Sequence, residues 1–278
     1  NVAKNVTGEK ERMRKMGMHL ERLVKKMEEG KIVCGVCVSL NDPAVSELVG
    51  MAGYDFVWIE GEHGAMGRTE MQNLMIGAHA GGAAAMIRLP YTDAALVRPV
   101  MDMGPDIIGF PFINTAEDAK KAVAACTYPP KGVRGWNPQR AGHYGQMGQS
   151  AYVDKADRET LKMMIVEQEE GFHNIEEIVK VDGVDLIVLG PGDLSVGMGL
   201  KGKQDDPCIA EMMNHAASVC VSCRKPFLAW PSMTEQSLRE WEQKGASLFG
   251  FPQDSFFISQ AIMKLWPEYE KAIPSKKR

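Results

Sequence analysis

The feature that most constrains this chain is a rhythm. Eight short apolar runs recur along it, at Ile32–Ser39, Phe56–Glu60, Ala84–Arg88, Ile107–Pro111, Lys162–Glu167, Leu186–Leu189, Pro226–Trp230 and Ser247–Phe251. Between them lie stretches with apolar residues at three-to-four spacing, such as Ala44–Ala52, Thr69–Ala80, Ala116–Cys126, Asn174–Val181, Ile209–Cys223 and Thr234–Lys244. The first pattern predicts strands and the second amphipathic helices. Near-continuous apolar strands separated by helices describe a parallel sheet covered on both faces. Eight units of similar size close more naturally into a (β/α)8 barrel than into an open doubly wound sheet. The Gly-x-Gly-x-x-Gly fingerprint of a dinucleotide-binding sheet is absent after the first strand. The expected fold is therefore α/β, a TIM barrel.

The boundaries of these units carry their own signals. Asn41-Asp42-Pro43 places a proline early in a helix, and Thr115-Ala116-Glu117-Asp118 and Ser232-Met233-Thr234-Glu235 resemble capped first turns. Gly53, Gly183 and Gly245 stand where helices would exit through a left-handed residue into the next strand. The 278 residues fit one barrel. We divide them into a polar N-terminal helix or arm over residues 1–20 and a single barrel domain over residues 21–278.

Composition excludes several classes of function. The net charge is −4 and no basic stripe with interleaved aromatics occurs, which argues against nucleic acid as a partner. No apolar run reaches the ~20 residues that span a bilayer, and the charged N-terminal region lacks the apolar core of a signal peptide. Two Cys-x-x-Cys pairs, Cys34/Cys37 and Cys220/Cys223, invite a zinc reading. In a strand, however, residues three apart face opposite sides, so we read these thiols as buried and reduced in a cytoplasmic protein.

Chemistry enters where apolar strands stop. Phe56-Val57-Trp58-Ile59 runs into Glu60-Gly61-Glu62-His63-Gly64. Ala84–Ile87 runs into Arg88, Leu161–Val166 into Glu167, and Leu186–Leu189 into Gly190-Pro191-Gly192-Asp193. In a barrel all these ends converge on one mouth. Ser39, Glu60, Glu62, His63, Arg88, Glu167, Asp193 and Trp230 would then share a rim. Glu167 and Asp193, on adjacent strands, suit a hard divalent ion such as Mg²⁺, Mn²⁺ or Co²⁺. Such a pair leaves positions for water and a chelating substrate. His63, oriented by Glu60 or Glu62, is a candidate acid/base. Arg88 can fork two donors onto a carboxylate or a developing enolate oxygen. The segment Thr127–Asp157 is unusually long and rich in Gly and Pro. We read it as a loop over the mouth that shapes substrate choice, with Trp136 and Arg140 contacting substrate.

These residues, in this order and spacing, carry a resemblance over roughly residues 20–264. The chain resembles the metal-dependent class II pyruvate aldolases of the 4-hydroxy-2-oxoheptanedioate aldolase family, in the phosphoenolpyruvate/pyruvate-domain barrel superfamily. The matching segments are Glu60-Gly61-Glu62-His63, Ile87-Arg88-Leu89-Pro90, Met101-Asp102-Met103-Gly104 and Tyr128-Pro129-Pro130-Lys131-Gly132-Val133-Arg134-Gly135. Glu167 with Asn174-Ile175, Gly183-Val184-Asp185 and Gly190-Pro191-Gly192-Asp193-Leu194-Ser195 complete them.

The resemblance implies a carbon–carbon lyase that reversibly cleaves a 2-oxo-4-hydroxy acid to pyruvate and an aldehyde through a metal-bound enolate. It implies one divalent ion on Glu167 and Asp193, with Gly190 and Pro191 beside the substrate. Arg88 would neutralise the enolate, and His63 would act as acid/base, assisted by Glu60. Asp102 would reach a neighbouring subunit's site. Assembly would be a hexamer of dimers that exchange their last helix, here about Ser255–Trp266.

Three positions depart from the family pattern. Glu60 stands where aspartate is usual, Ile165 where glutamine is common, and Trp136-Asn137-Pro138-Gln139-Arg140 where small residues are frequent. The alternatives on the same scaffold are an oxaloacetate decarboxylase, an acyl-CoA lyase, or a non-catalytic barrel that binds a metal and a 2-oxo acid.

Overall fold

The computed structural model describes residues 17–273. Its strands are β1 (Val33–Val38), β2 (Phe56–Glu60), β3 (Ala84–Arg88), β4 (Ile107–Phe110), β5 (Leu161–Val166), β6 (Leu186–Leu189), β7 (Phe227–Ala229) and β8 (Leu248–Gln253). They pair in parallel in chain order, and β8 closes onto β1. The (β/α)8 barrel read from the rhythm is the fold observed.

Helix α1 (Met18–Glu28) precedes β1. Helices α2 (Pro43–Met51), α3 (Arg68–Gly81), α4 (Ala94–Met103) and α5 (Ala116–Cys126) follow β1 to β4 in turn. Helix α6 (Gln149–Glu159) leads into β5, after which come α7 (Glu169–His173) and α8 (Ile175–Ile178). Helices α9 (Pro191–Gly197) and α10 (Pro207–Ser222) follow β6, α11 (Glu235–Gln243) follows β7, and α12 (Asp254–Ala272) follows β8.

The caps expected from sequence are present. The Asp42 carboxylate accepts the Ala44 N–H with Pro43 in the first turn, and Thr115 and Asp118 form a reciprocal capping box. The Thr234 hydroxyl accepts the Ser237 N–H. Each such cap contributes on the order of 1 kcal/mol by satisfying amides that the helix itself leaves free.

Strand alternation sorts the core into two layers. Phe56, Trp58, Ala84, Met86, Met163, Ile165, Leu186 and Val188 point into the barrel. Val57, Ile59, Ala85, Ile87, Met164, Val166, Ile187 and Leu189 face the helices. Helix α1 closes the barrel's lower end. Leu20 and Leu23, three apart on one helical face, are buried among the inward-facing residues. The last residues of the stretch read as a polar helix or arm over residues 1–20 thus belong to a helix, and its apolar face plugs the barrel. Residues 1–16 lie outside the described residues.

The long segment also needs correction. It connects a helix to the following strand, and such connections in this fold run at the end opposite the mouth. Its residues lie there. Arg140 Nη1 donates to the Met103 carbonyl (3.3 Å), and just past the segment the Thr160 hydroxyl donates to the carbonyl of Pro105, before β4 (2.7 Å). Trp136 packs against Tyr128 and Tyr152. The substrate contacts read for Trp136 and Arg140 at the mouth of their own barrel are therefore withdrawn. Part of the segment is also ordered as α6 and a short 3-10 turn at Arg140–Gly145.

Candidate active site

Register builds the centre of the site. β2 and β3 pair with Glu60 opposite Arg88, the last residue of each strand. Arg88 Nε donates to both Glu60 oxygens at 3.0 and 2.9 Å, and Nη2 donates to Oε2 at 2.6 Å. Trp58 Nε1, two residues earlier on the same face, donates to Oε2 at 3.2 Å. Glu60 Oε1 also accepts the backbone N–H groups of Glu62 (2.8 Å) and His63 (3.1 Å), so one carboxylate holds both the arginine and the turn after β2. That turn needs Gly61, where an added Cβ would meet the Arg88 carbonyl at 2.3 Å.

Glu60 thus does not engage the His63 imidazole as the resemblance implied. It touches only that residue's backbone. The carboxylate beside the ring is Glu62, whose Oε2 lies 3.8 Å from His63 Nε2 and 2.9 Å from Arg88 Nη1. The His63 side chain is 55% exposed at the rim. Arg88 is also less free than a substrate fork requires. Its Nε–Nη2 edge is taken by Glu60, and Nη1 is what faces Glu62 and, at 4.0 Å, Glu167 Oε2.

Glu167 directly follows β5, and its Oε1 accepts the Phe112 N–H at 3.0 Å. Gly190 stands beside it at the end of β6. A Cβ there would fall 2.7 Å from the Glu167 Cβ, so glycine lets the carboxylate take this place. Asp193 sits in the first turn of α9. Arg88, Glu167, Gly190, Pro191, Asp193 and Trp230 border a cavity of about 250 Å³. Its floor is Trp58, Ile165 and Val188, and Gln204 closes one side. Gln204 carried no signal in the sequence, since it lies in an irregular stretch. Trp58 did, because residues i and i+2 of a strand share a face.

Electrostatics distinguish the three glutamates. Burial opposes ionisation of Glu60, but Arg88 and the two backbone N–H groups outweigh it and hold the carboxyl below its ordinary range. Burial raises Glu62 above that range, against the pull of Arg88 and His63. Burial, with the nearby charges of Asp193 and Glu62, pushes Glu167 up to about 7, despite Phe112 and Arg88. Close carboxylates around one arginine leave negative charge that a cation would relieve.

Asp102 lies away from this cavity, near the end of α4, where its Oδ1 accepts Arg134 Nη2 at 2.9 Å. Ser39, also expected at the rim, donates its hydroxyl to Asp254 at the start of α12. A larger cavity of about 490 Å³ opens at the lower end beside His19, His79, Arg140 and Glu159. That end of a barrel ordinarily serves stability rather than chemistry.

The sequence pattern of the HpcH/HpaI aldolase/citrate lyase family matches residues 34–248. The chain is 33% identical over 192 residues to the hydroxypyruvate/pyruvate aldolase of Roseobacter denitrificans, spanning 68% of this chain and 74% of that protein. It is 30% identical over 246 residues to the 4-hydroxy-2-oxovalerate aldolase of Novosphingobium aromaticivorans, spanning 87% and 93% respectively. The crystal structure of an HpcH/HpaI aldolase from Desulfitobacterium hafniense superposes with a TM-score of 0.84. It covers 92% of this chain and 99% of that one, at 23% identity, a likeness of fold.

Proposed function

The chain belongs to the HpcH/HpaI aldolase/citrate lyase family, and from that premise we propose that it reversibly cleaves a 2-oxo-4-hydroxy acid to pyruvate, or a close 2-oxo acid, and an aldehyde. The observation that carries this reading is the Glu60-locked Arg88 beside a small cavity that it shares with Glu167 and Asp193. The names of the Roseobacter and Novosphingobium relatives support a short 2-oxo acid as the retained half.

The donor set fits a hard divalent ion of the Mg²⁺, Mn²⁺ or Co²⁺ kind. Glu167 and Asp193 offer carboxylate oxygens, and Glu167 is buried with its charge incompletely balanced. Among the described residues no group of three or more His, Cys, Asp or Glu side chains is placed to hold a metal. Glu167 and Asp193 would supply the protein's two ligands. Such an ion, when bound, polarises the substrate's 2-oxo and carboxylate oxygens as a Lewis acid.

The chain's own residues do the rest. Arg88, fixed by Glu60, presents Nη1 where negative charge develops on the C2 oxygen, and a preorganised donor of this kind is worth most in a water-poor site. His63 takes the proton of the C4 hydroxyl as the C3–C4 bond breaks. The electron pair of that bond becomes the C2–C3 double bond of the enolate, and the aldehyde leaves. His63 then returns that proton to C3, which gives pyruvate and restores the neutral imidazole. The apolar floor of Trp58, Ile165 and Val188 excludes water beneath the reacting carbons.

Assembly belongs to the same reading. From Ile258 to Ile273 every residue of α12 and its exit is exposed, including Ile262, Met263, Leu265 and Trp266. An apolar helix of this kind is covered by a second copy, in an exchanged dimer within a hexamer. Asp102 would there face a neighbour's site. Among the described residues no helix is long and apolar enough to cross a membrane. All six cysteines are free thiols, which fits the reducing, cytoplasmic setting read from the sequence.

The deciding experiment is exchange of the pyruvate C3 protons in D2O, with metal stripped and then restored. Metal-dependent exchange that His63→Ala abolishes supports the reading, and its absence in the wild type refutes it. Product formation that requires an aldehyde then separates the aldolase from an oxaloacetate decarboxylase.

A further inference from the structure

We propose that Glu62, and not Glu60, orients the His63 imidazole, keeping the ring proton on Nε2 and leaving Nδ1 as the base. The inference rests on the acid/base role given to His63 above and names the residue that acts through it.

A carboxylate has about four acceptor sites. Glu60 already receives Arg88 Nε and Nη2, Trp58 Nε1 and the N–H groups of Glu62 and His63. It has no acceptor left for the imidazole, and its contacts pull it down into the barrel. Being one methylene longer than the usual aspartate is what lets it reach the guanidinium edge-on.

Glu62 is in the opposite state. Its side chain is only 9% exposed. Its Oε2 is buried and receives no hydrogen bond of acceptable geometry. Arg88 Nη1 approaches to 2.9 Å, close enough for an ion pair but off the hydrogen-bond direction. A buried carboxylate oxygen with no hydrogen-bond donor in line is costly. The His63 ring nitrogen Nε2 lies 3.8 Å away, and moving the exposed ring by about 1 Å would give Oε2 a proper donor.

The backbone keeps both partners in place. Glu60 Oε1 ties down the amides of Glu62 and His63 together, so the turn presents the two side chains as a unit. With Nε2–H directed at Glu62, Nδ1 carries the lone pair and is the atom that takes the substrate's proton. Glu62 is thus a positioning residue that links the imidazole to Arg88.

The test is ¹⁵N NMR of the imidazole rings, with His63 assigned by its loss in His63→Ala, alongside steady-state kinetics. In the wild type, neutral His63 should be the Nε2–H tautomer. In Glu62→Ala the proportion of Nε2–H should fall to that of a free, solvated imidazole, and kcat should fall about 10- to 100-fold with KM little changed, the usual weight of an outer partner. Glu62→Gln keeps a neutral acceptor and should retain part of the tautomer preference, which guards against a mere folding defect in the alanine variant. An Nδ1–H tautomer in the wild type, or an unchanged tautomer in Glu62→Ala, overturns the proposal. The aldolase reading fails separately. If the wild type exchanges no pyruvate protons while the tautomer still responds to Glu62, the function is wrong and the Glu62–His63 link stands.

Discussion

At the scale of single residues, the site is a buried arginine surrounded by acids, and its chemistry depends on which acid does what. Arg88→Lys should retain the fold but lose about 10²-fold or more in kcat/KM. Lysine keeps the charge, yet cannot bridge Glu60 and still present a donor to the cavity. Kinetics beside a thermal melt decide this, and a near-normal kcat/KM would remove Arg88 from the reaction. Glu167 gives a prediction in pH. Its proton stays on to about 7 in the folded, metal-free protein, but leaves the unfolded chain near 4.3. A raised folded value means stability that is complete below the unfolded value and is lost as pH rises through 7. Metal-free wild type should therefore match Glu167→Gln near pH 4 and become less stable than it by pH 8. The gap is on the order of 4 kcal/mol, at ~1.4 kcal/mol per unit. Denaturant melts at several pH values measure it, and a constant difference would contradict the assignment.

At the scale of elements, the connection that a segment makes outweighs its composition. The Gly- and Pro-rich stretch before β5 has the look of a functional loop, and its aromatic and cationic residues suggest substrate contact. Yet it joins α5 to β5, and in a parallel barrel every helix-to-strand connection returns to the end where strands begin. Arg140 there bonds His79 Nδ1 (2.9 Å) and the Met103 carbonyl. Trp136→Ala and Arg140→Ala should accordingly leave the order of preference among aldehydes of graded length and charge unchanged. Both should lower the melting temperature. For Arg140→Ala the loss of two buried-side hydrogen bonds is worth about 1–3 kcal/mol. A changed aldehyde preference would mean that the segment reaches the mouth of a neighbouring barrel.

At the scale of the whole molecule, α12 is the element that the barrel leaves uncovered. Among its residues only Asp254 is buried, held by the N–H groups of Ser39 and Leu40 at the top of β1. The rest carries Ile262, Leu265 and Trp266 outward. A double substitution, Ile262→Asp with Leu265→Asp, should shift the protein to smaller species in analytical ultracentrifugation while leaving the barrel's circular dichroism intact. An unchanged sedimentation coefficient would show that this helix does not carry the assembly.

The sequence by itself determined the barrel, because eight apolar runs at strand length, each followed by a helical period and punctuated by caps, admit few other arrangements. It also marked where chemistry would sit, since ionisable residues that end buried strands must meet at one mouth. Glu60, Arg88, Glu167 and Asp193 were legible on that ground. What it left open were the partnerships. Whether Glu60 or Glu62 stood by His63 depended on register, which sets Glu60 across from Arg88, and on a side chain long enough to reach the guanidinium. Leu20 and Leu23 looked like two leucines in a charged helix until the barrel offered an end for them to plug. Gln204 had no pattern to betray it, because irregular chain has no period. Periodicity is a local property, readable along the chain. Which charge meets which across a strand boundary is decided by distances of a few ångströms between residues far apart in sequence, and only the tertiary structure sets those.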